Sequence, residues 1–103
     1  MNEYEEIRKE IDIYLMKRFR YRRSLVYLTP DNIVSTRRNS RIDLYLRIRR
    51  KESLFPPDCL IIARISFQKE RIGHGTHFVR FLAETALKYG YRHIGIESTN
   101  EKS

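Results

Sequence analysis

The sequence contains a single cysteine, Cys59, so no disulfide can form within the chain. No apolar stretch approaches the roughly 18 residues of a membrane span. The charged residues 1–10 do not resemble a secretory signal, and repeats, low-complexity stretches and interdomain linkers are missing. These absences predict a soluble, cytoplasmic protein with no membrane anchor.

Spacing suited to a metal site is also absent. His74 and His77 lie three positions apart on a predicted helix, but Cys59 and His93 belong to separate predicted strands and have no further ligands near them. We therefore expect no bound metal.

The length of the chain leaves room for one hydrophobic core. A chain of 103 residues, 41% of them hydrophobic, has enough apolar surface to fold but not enough to build two domains. We predict a single domain over residues 1–103.

Acidic residues are scarce between positions 17 and 51, a stretch that we call the Arg-rich segment. The chain has 21 basic and 13 acidic residues, and this segment holds 12 of the basic and only 2 of the acidic ones. Because guanidinium groups pair well with phosphate and carboxylate, the excess predicts an anionic partner, either a nucleic acid or an acidic protein. The arginines assigned to that contact are Arg18, Arg20, Arg22, Arg23, Arg37, Arg38, Arg47 and Arg49.

Hydrophobic periodicity predicts the order of helices and strands. Apolar residues three and four apart predict helices over 2–22 and 75–89, and Gly90 stands where the second helix should end in the left-handed conformation. Strict alternation predicts a half-buried strand over 42–49, and a nearly continuous apolar run predicts a central strand over 60–67. Shorter strands are predicted over 25–28, 33–36 and 93–97.

These elements predict an α/β fold of the α+β type in the order α-β-β-β-β-α-β. We expect a mixed, mostly antiparallel sheet with helices on both faces. The path from the central strand through the second helix to the last strand implies a right-handed parallel crossover.

The connection between the central strand and the second helix is the informative motif. It places Gly73 and Gly75 at the turn into a helix, where small residues let the backbone approach a ligand closely. The free amides of a first helical turn, with the positive end of the helix dipole, can hold a pyrophosphate. The same glycines are equally compatible with a tight connection that binds nothing.

Residues 58–100 resemble the acyl-CoA-binding core of the GNAT superfamily of N-acetyltransferases. Ile65 matches the end of the family's central strand, and Glu70-Arg71-Ile72-Gly73-His74-Gly75 resembles its glycine-containing turn. Residues 76–89 match the helix that follows, and residues 93–97 match a strand that splays away from the central one.

The resemblance implies acetyl-CoA as cofactor. Backbone amides of residues 71–76 would cradle the pyrophosphate, Arg71 would meet the adenosine 3′-phosphate, and the edge of residues 65–67 would bind the pantetheine arm. Glu97 is the candidate general base. The cofactor-binding residues implied in this way are Ile65, Ser66, Phe67, Arg71, Ile72, Gly73, His74, Gly75 and Thr76.

Two functions remain open from the sequence. The first is acetyl transfer from acetyl-CoA to an amine of an unspecified acceptor. The second is a catalytically inactive module that binds nucleic acid or an acidic protein through its arginines. Because the family usually continues into a further helix and two strands, we expect a C-terminally truncated version whose last strand pairs in a homodimer or with another partner.

Overall fold

The computed structural model describes residues 3–37, 42–49, 58–67 and 73–97. The first helix is shorter than predicted, and the other elements lie close to their predicted positions. In chain order the elements are α1 (Glu3–Phe19), β1 (Val26–Leu28), β2 (Ile33–Thr36), β3 (Ile42–Arg49), β4 (Cys59–Phe67), α2 (His74–Lys88) and β5 (His93–Ile96).

The five strands form one sheet in the order β1-β2-β3-β4-β5. The first four strands pair antiparallel, and β5 pairs parallel to β4. The predicted mixed, mostly antiparallel sheet is therefore confirmed. The α+β class is confirmed with it.

The alternation of β3 determines which face of the sheet is buried. Ile42, Leu44, Leu46 and Ile48 are all buried, whereas the residues between them are partly exposed wherever their side chains are described. The buried row joins apolar side chains of both helices in one core. That core includes Ile7, Ile11, Leu15, Val26, Val34, Leu60, Ile62, Phe67, Phe78, Leu82, Ala86 and Tyr91.

Both helices pack on the same face of the sheet, so the prediction of helices on both faces is wrong. The ring of Tyr14 in α1 stacks on Phe81 in α2 with centroids 4.2 Å apart. Glu10 of α1 accepts hydrogen bonds from Lys88 Nζ at 2.8 Å and from the Tyr89 hydroxyl at 2.5 Å. The opposite face of β3 carries charged and aromatic side chains, which offer little apolar surface for a second helix layer.

The first helix stops three residues before its predicted end because Arg20 turns the chain. Arg20 has φ 60°, in the left-handed region, and the amide of Tyr21 donates to the carbonyl oxygen of Met16 at 2.9 Å. This hydrogen bond from the residue after a left-handed one is the mark of a Schellman ending. The second helix ends in the same way at Gly90, which has φ 83° as its sequence position predicted.

A buried carboxylate attaches α1 to the edge strand β1. Asp12 Oδ1 accepts hydrogen bonds from the amides of Leu25 at 2.6 Å and Val26 at 3.3 Å. Arg8 pairs with Asp12 Oδ2 at 3.2 Å and donates to the carbonyl oxygen of Val26 at 3.3 Å. The outward-facing backbone groups of Val26 are thus capped by side chains of α1, which protects this edge of the sheet from further pairing.

Candidate functional site

The parallel strands β4 and β5 separate halfway along β4. Their pairing covers Cys59–Ile62 and His93–Ile96, and the last hydrogen bond runs from the amide of Glu97 to the carbonyl oxygen of Ile62 at 2.9 Å. Beyond this point β4 continues to Phe67 with β3 on one side only, within the part of the chain that the structure describes. The second half of β4 therefore presents an open backbone edge.

A β-bulge lies at the point of separation. Tyr45 faces Arg64 across the strand pair while Leu46 faces Ile62, so Ala63 is the additional residue on β4. A bulge of this kind bends and twists its strand. It accompanies the change from four consecutively buried positions, Cys59–Ile62, to a stretch in which Arg64 and Ser66 are exposed.

The start of α2 lies near the open half of β4. The ring of Phe67, the last residue of β4, packs against Phe78 in the second turn of α2 with centroids 6.1 Å apart. Gly73 caps the helix with φ 76° and no side-chain hydrogen bond, and the first turn contains no acidic residue. A Cβ added at Gly75 would meet no atom of the described, non-neighbouring residues within 4 Å. The helix therefore presents its positive end with open space around Gly75.

An open groove of ≈ 540 Å³ extends from this helix start along α2. Its lining is mostly apolar, with one exposed cation, Arg80, one turn after Thr76. Arg80 was not among the residues selected from the sequence, although its position four residues after Thr76 places both on one flank of a helix. The lining residues are Gly75, Thr76, Val79, Arg80 and Ala83.

The structure brings most of the described cofactor-binding candidates to one end of the β4–α2 unit. Gly73, Gly75 and Thr76 begin α2, and Ser66 is exposed near the end of β4. Phe67 is 4% exposed and stacks on Phe19, so its side chain belongs to the core and only its backbone can face a ligand. Ile65 is half-buried beside the core, His74 begins α2 with its side chain outside the described part, and Arg71 and Ile72 lie outside the described residues.

The candidate base Glu97 takes part in a bridge across the sheet. Its carboxylate accepts a hydrogen bond from the guanidinium of Arg47 on β3, so the pair spans the intervening strand β4. The guanidinium groups of Arg47 and Arg64 lie 5.7 Å and 5.3 Å from the ring centroid of Tyr45. Arg64 also donates a hydrogen bond to the carboxylate of Asp43. The catalytic role of Glu97 stays a prediction, and the bridge gives this residue a structural role as well.

The described arginines predicted to meet an anionic partner lie in three places: around the end of α1, after β2 and on β3. Arg18, Arg20, Arg22 and Arg23 surround the end of α1, and Arg37 follows β2 with its guanidinium 5.4 Å from the ring of Tyr27. Arg47 and Arg49 lie on β3, with the side chain of Arg49 outside the described part, and Arg38 falls outside the described residues.

No family model, curated protein or solved structure matches this chain. Among the described residues there is no group of His, Cys, Asp and Glu side chains that could hold a metal ion. None of the helices described is long and apolar enough to cross a membrane.

Proposed function

We propose that this chain binds acetyl-CoA at the start of α2 and transfers the acetyl group to an amine, as the resemblance to GNAT N-acetyltransferases implies. The observation that carries the proposal is the separation of β4 and β5 after Ile62 beside the uncapped start of α2 at Gly73. An extended thioester arm fits along an open strand edge because it can accept and donate backbone hydrogen bonds. A pyrophosphate at the other end of that arm fits the helix start.

The first turn of α2 supplies the phosphate contacts in this proposal. Amides of residues 73–76 point out of the helix start. Gly75 allows close approach because none of the described side chains fills the space there. Arg80 supplies a cation from the adjoining groove. The predicted contacts of Arg71 and Ile72 complete the cradle.

The open edge of β4 holds the reacting thioester in this proposal. The acceptor nitrogen attacks the thioester carbonyl carbon, and a backbone amide of residues 65–67 donates a hydrogen bond to the carbonyl oxygen as negative charge develops there. The carbon–sulfur bond then breaks, the CoA thiolate leaves, and the amine proton passes to water or to Glu97. Holding the thioester beside the amine is the main contribution of the protein.

Calorimetric titration with acetyl-CoA tests the proposal. Gly75→Glu adds bulk and negative charge in open space, so the free protein should fold normally while acetyl-CoA binding falls at least about tenfold. Ile13→Glu is the matched control, because Ile13 is 52% exposed on the other helix and should leave binding unchanged. No binding at millimolar ligand, or equal binding by Gly75→Glu, would contradict the proposal.

Arg80 offers a second, graded test. Arg80→Gln should weaken acetyl-CoA binding severalfold, because it removes a charge-assisted contact without changing the helix start. Arg92→Gln is the control at the opposite end of α2, where Arg92 is also exposed. Equal effects of the two substitutions would remove Arg80 from the site.

The second candidate function is a non-catalytic module that binds nucleic acid or an acidic protein. It is favoured by Arg20, Arg22 and Arg23, which are all exposed in the short connection between α1 and β1. The stacked rings of Phe19 and Phe67 place the end of α1 beside the end of β4, so these arginines adjoin the proposed acetyl-CoA site. Parallel titrations with nucleic acid and with acetyl-CoA therefore separate the two candidates.

A further inference from the structure

The two edges of the sheet differ in how they are protected. At β1, Asp12 and Arg8 occupy the outward-facing backbone groups of Val26. At β5, no strand pairs with the outer edge within the described residues. An unprotected edge with apolar side chains is a template for pairing with another strand.

The outward-facing backbone groups of β5 belong to its two isoleucines. The amides of His93 and Glu97 donate to carbonyl oxygens of β4, those of Asp58 and Ile62. Because backbone groups alternate in direction along a strand, the N–H and C=O groups of Ile94 and Ile96 point away from β4.

We propose that β5 pairs antiparallel with β5 of a second copy of this chain, about a two-fold axis at Gly95. In this register each Ile94 lies opposite Ile96 of the other copy, so every outward N–H meets an outward C=O. Gly95 lies opposite itself at a non-hydrogen-bonded position, where strands approach most closely and a small residue fits best. The result is one continuous sheet through both copies.

Charge complementarity selects the same register. His93 and Glu97 lie two residues before and after Gly95, so the two-fold axis places His93 of one copy directly opposite Glu97 of the other. His93 is exposed, and Glu97 lies on the same face of the sheet. Two His93–Glu97 cross-strand pairs therefore form by symmetry, and each Glu97 carboxylate, which already accepts a hydrogen bond from Arg47, can accept a further one from the imidazole of the other copy.

Apolar side chains on the helix-bearing face favour the same partner. Ile96 is 51% exposed, one of the few large apolar side chains that the described structure leaves in solvent. It lies on the helix-bearing face because its strand partner Ile62 belongs to the core. The proposed register places Ile96 directly opposite Ile94 of the second copy, so pairing would cover part of its exposed surface. The strand is short, so we expect a dissociation constant in the micromolar range.

Sedimentation equilibrium of the full chain, across micromolar to millimolar concentrations, tests the proposal. The wild type should dimerise, and Ile96→Lys should raise the dissociation constant at least about tenfold because a charged side chain at a strand edge opposes pairing. Ile13→Lys is a matched control, since Ile13 is 52% exposed on α1. A monomeric wild type, an Ile96→Lys dimer of unchanged strength, or equal weakening by Ile13→Lys would overturn the proposal.

The charge of His93 provides a second, independent test. His93→Glu places like charges opposite each other twice per dimer and should raise the dissociation constant about tenfold. His93→Lys keeps the opposite charges and should leave the dimer intact. Circular dichroism of each variant establishes that it is folded. Equal dimerisation by His93→Glu and His93→Lys would rule out this register.

A cysteine experiment tests the register directly. Because Cys59 is the strand partner of His93 within one chain, both variants carry Cys59→Ala. Mixing His93→Cys chains with Glu97→Cys chains and oxidising mildly should give cross-linked heterodimers, because the two positions face each other at a non-hydrogen-bonded pair. His93→Cys chains alone should not cross-link, since their cysteines are four residues apart along the joined strands. Efficient cross-linking of His93→Cys alone would contradict the two-fold axis at Gly95.

Discussion

The attachment of α1 to the sheet leads to a sharp prediction about Asp12. Asp12 is 7% exposed, and its carboxylate accepts hydrogen bonds from the amides of Leu25 and Val26. The carboxylate therefore occupies the outer edge of β1 at this point. Asp12→Ala removes that acceptor. The amide of Leu25, which lies in the core at 6% exposure, then has no partner in this arrangement.

The expected cost combines one loss and one smaller gain. Losing a charged acceptor for backbone amides and leaving a buried amide unsatisfied costs about 3 kcal/mol. Arg8 keeps Glu5 at 2.8 Å, so its charge is not left unpaired. Alanine is the better helix former and returns about 0.5 kcal/mol. We expect a net loss of about 2.5 kcal/mol, which for a domain of this size lowers the melting temperature by about 10–20 °C.

Urea unfolding monitored by circular dichroism measures this loss of unfolding free energy. Two further variants separate the contribution of the carboxylate charge from that of the neighbouring ion pair. Asp12→Asn keeps an acceptor oxygen without its charge and should cost about 1 kcal/mol. Glu5→Ala removes the more exposed partner of Arg8 and should cost less than about 0.5 kcal/mol. A loss below about 1 kcal/mol for Asp12→Ala, or one equal to that of Glu5→Ala, would refute the reasoning.

Three other predictions follow from the helix ends and the arginines. Arg20→Gly should stabilise the protein by about 0.5–1 kcal/mol in urea unfolding, because φ 60° is strained for arginine, whereas Arg22→Gly should give no gain. The hydrogen bond to Glu10, together with burial, raises the pKa of Tyr89 to about 12. The stabilisation that this hydrogen bond provides is present below pH 10, and the free energy of unfolding should fall by about 1 kcal/mol between pH 10 and about 12. Tyr89→Phe should remove that alkaline loss, and an unchanged profile would contradict it. If the Arg-rich segment binds nucleic acid, affinity should fall steeply with salt and the slope should flatten when Arg20, Arg22 and Arg23 are changed to Gln. Binding that does not depend on salt would exclude this partner.

The sequence predicted the elements well because their signals are local. The alternation of Ile42, Leu44 and Leu46 reports one buried face directly, and Gly90 marks a helix end through its own backbone preference. The side of the sheet on which each helix packs is not determined by local sequence, because it depends on contacts between distant segments. An amphipathic stripe states that a helix is buried but not on which face, and this is why the arrangement of α1 and α2 was predicted wrongly.

Several features that the sequence did not predict depend on contacts between segments that are distant in the chain. The bulge at Ala63 and the end of β4–β5 pairing at Ile62 arise from hydrogen bonds between distant segments. Asp12 is one of several acidic residues on a charged helix, and its burial arises from contacts with residues 25 and 26, which are distant in the sequence. The left-handed conformation of Arg20 likewise has no composition signal, since glycine or asparagine is the usual residue there.

The central claim is that acetyl-CoA binds where β4 leaves β5 and α2 begins, and backbone amide chemical-shift mapping during an acetyl-CoA titration tests it most directly. The account predicts saturating shifts for Gly75, Thr76 and Ser66. The amides of Ile13 and Tyr27, on the helix and edge strand at the other side of the molecule, should remain unchanged. Saturating shifts confined to the Arg-rich segment, or no shifts at millimolar acetyl-CoA, would contradict the account.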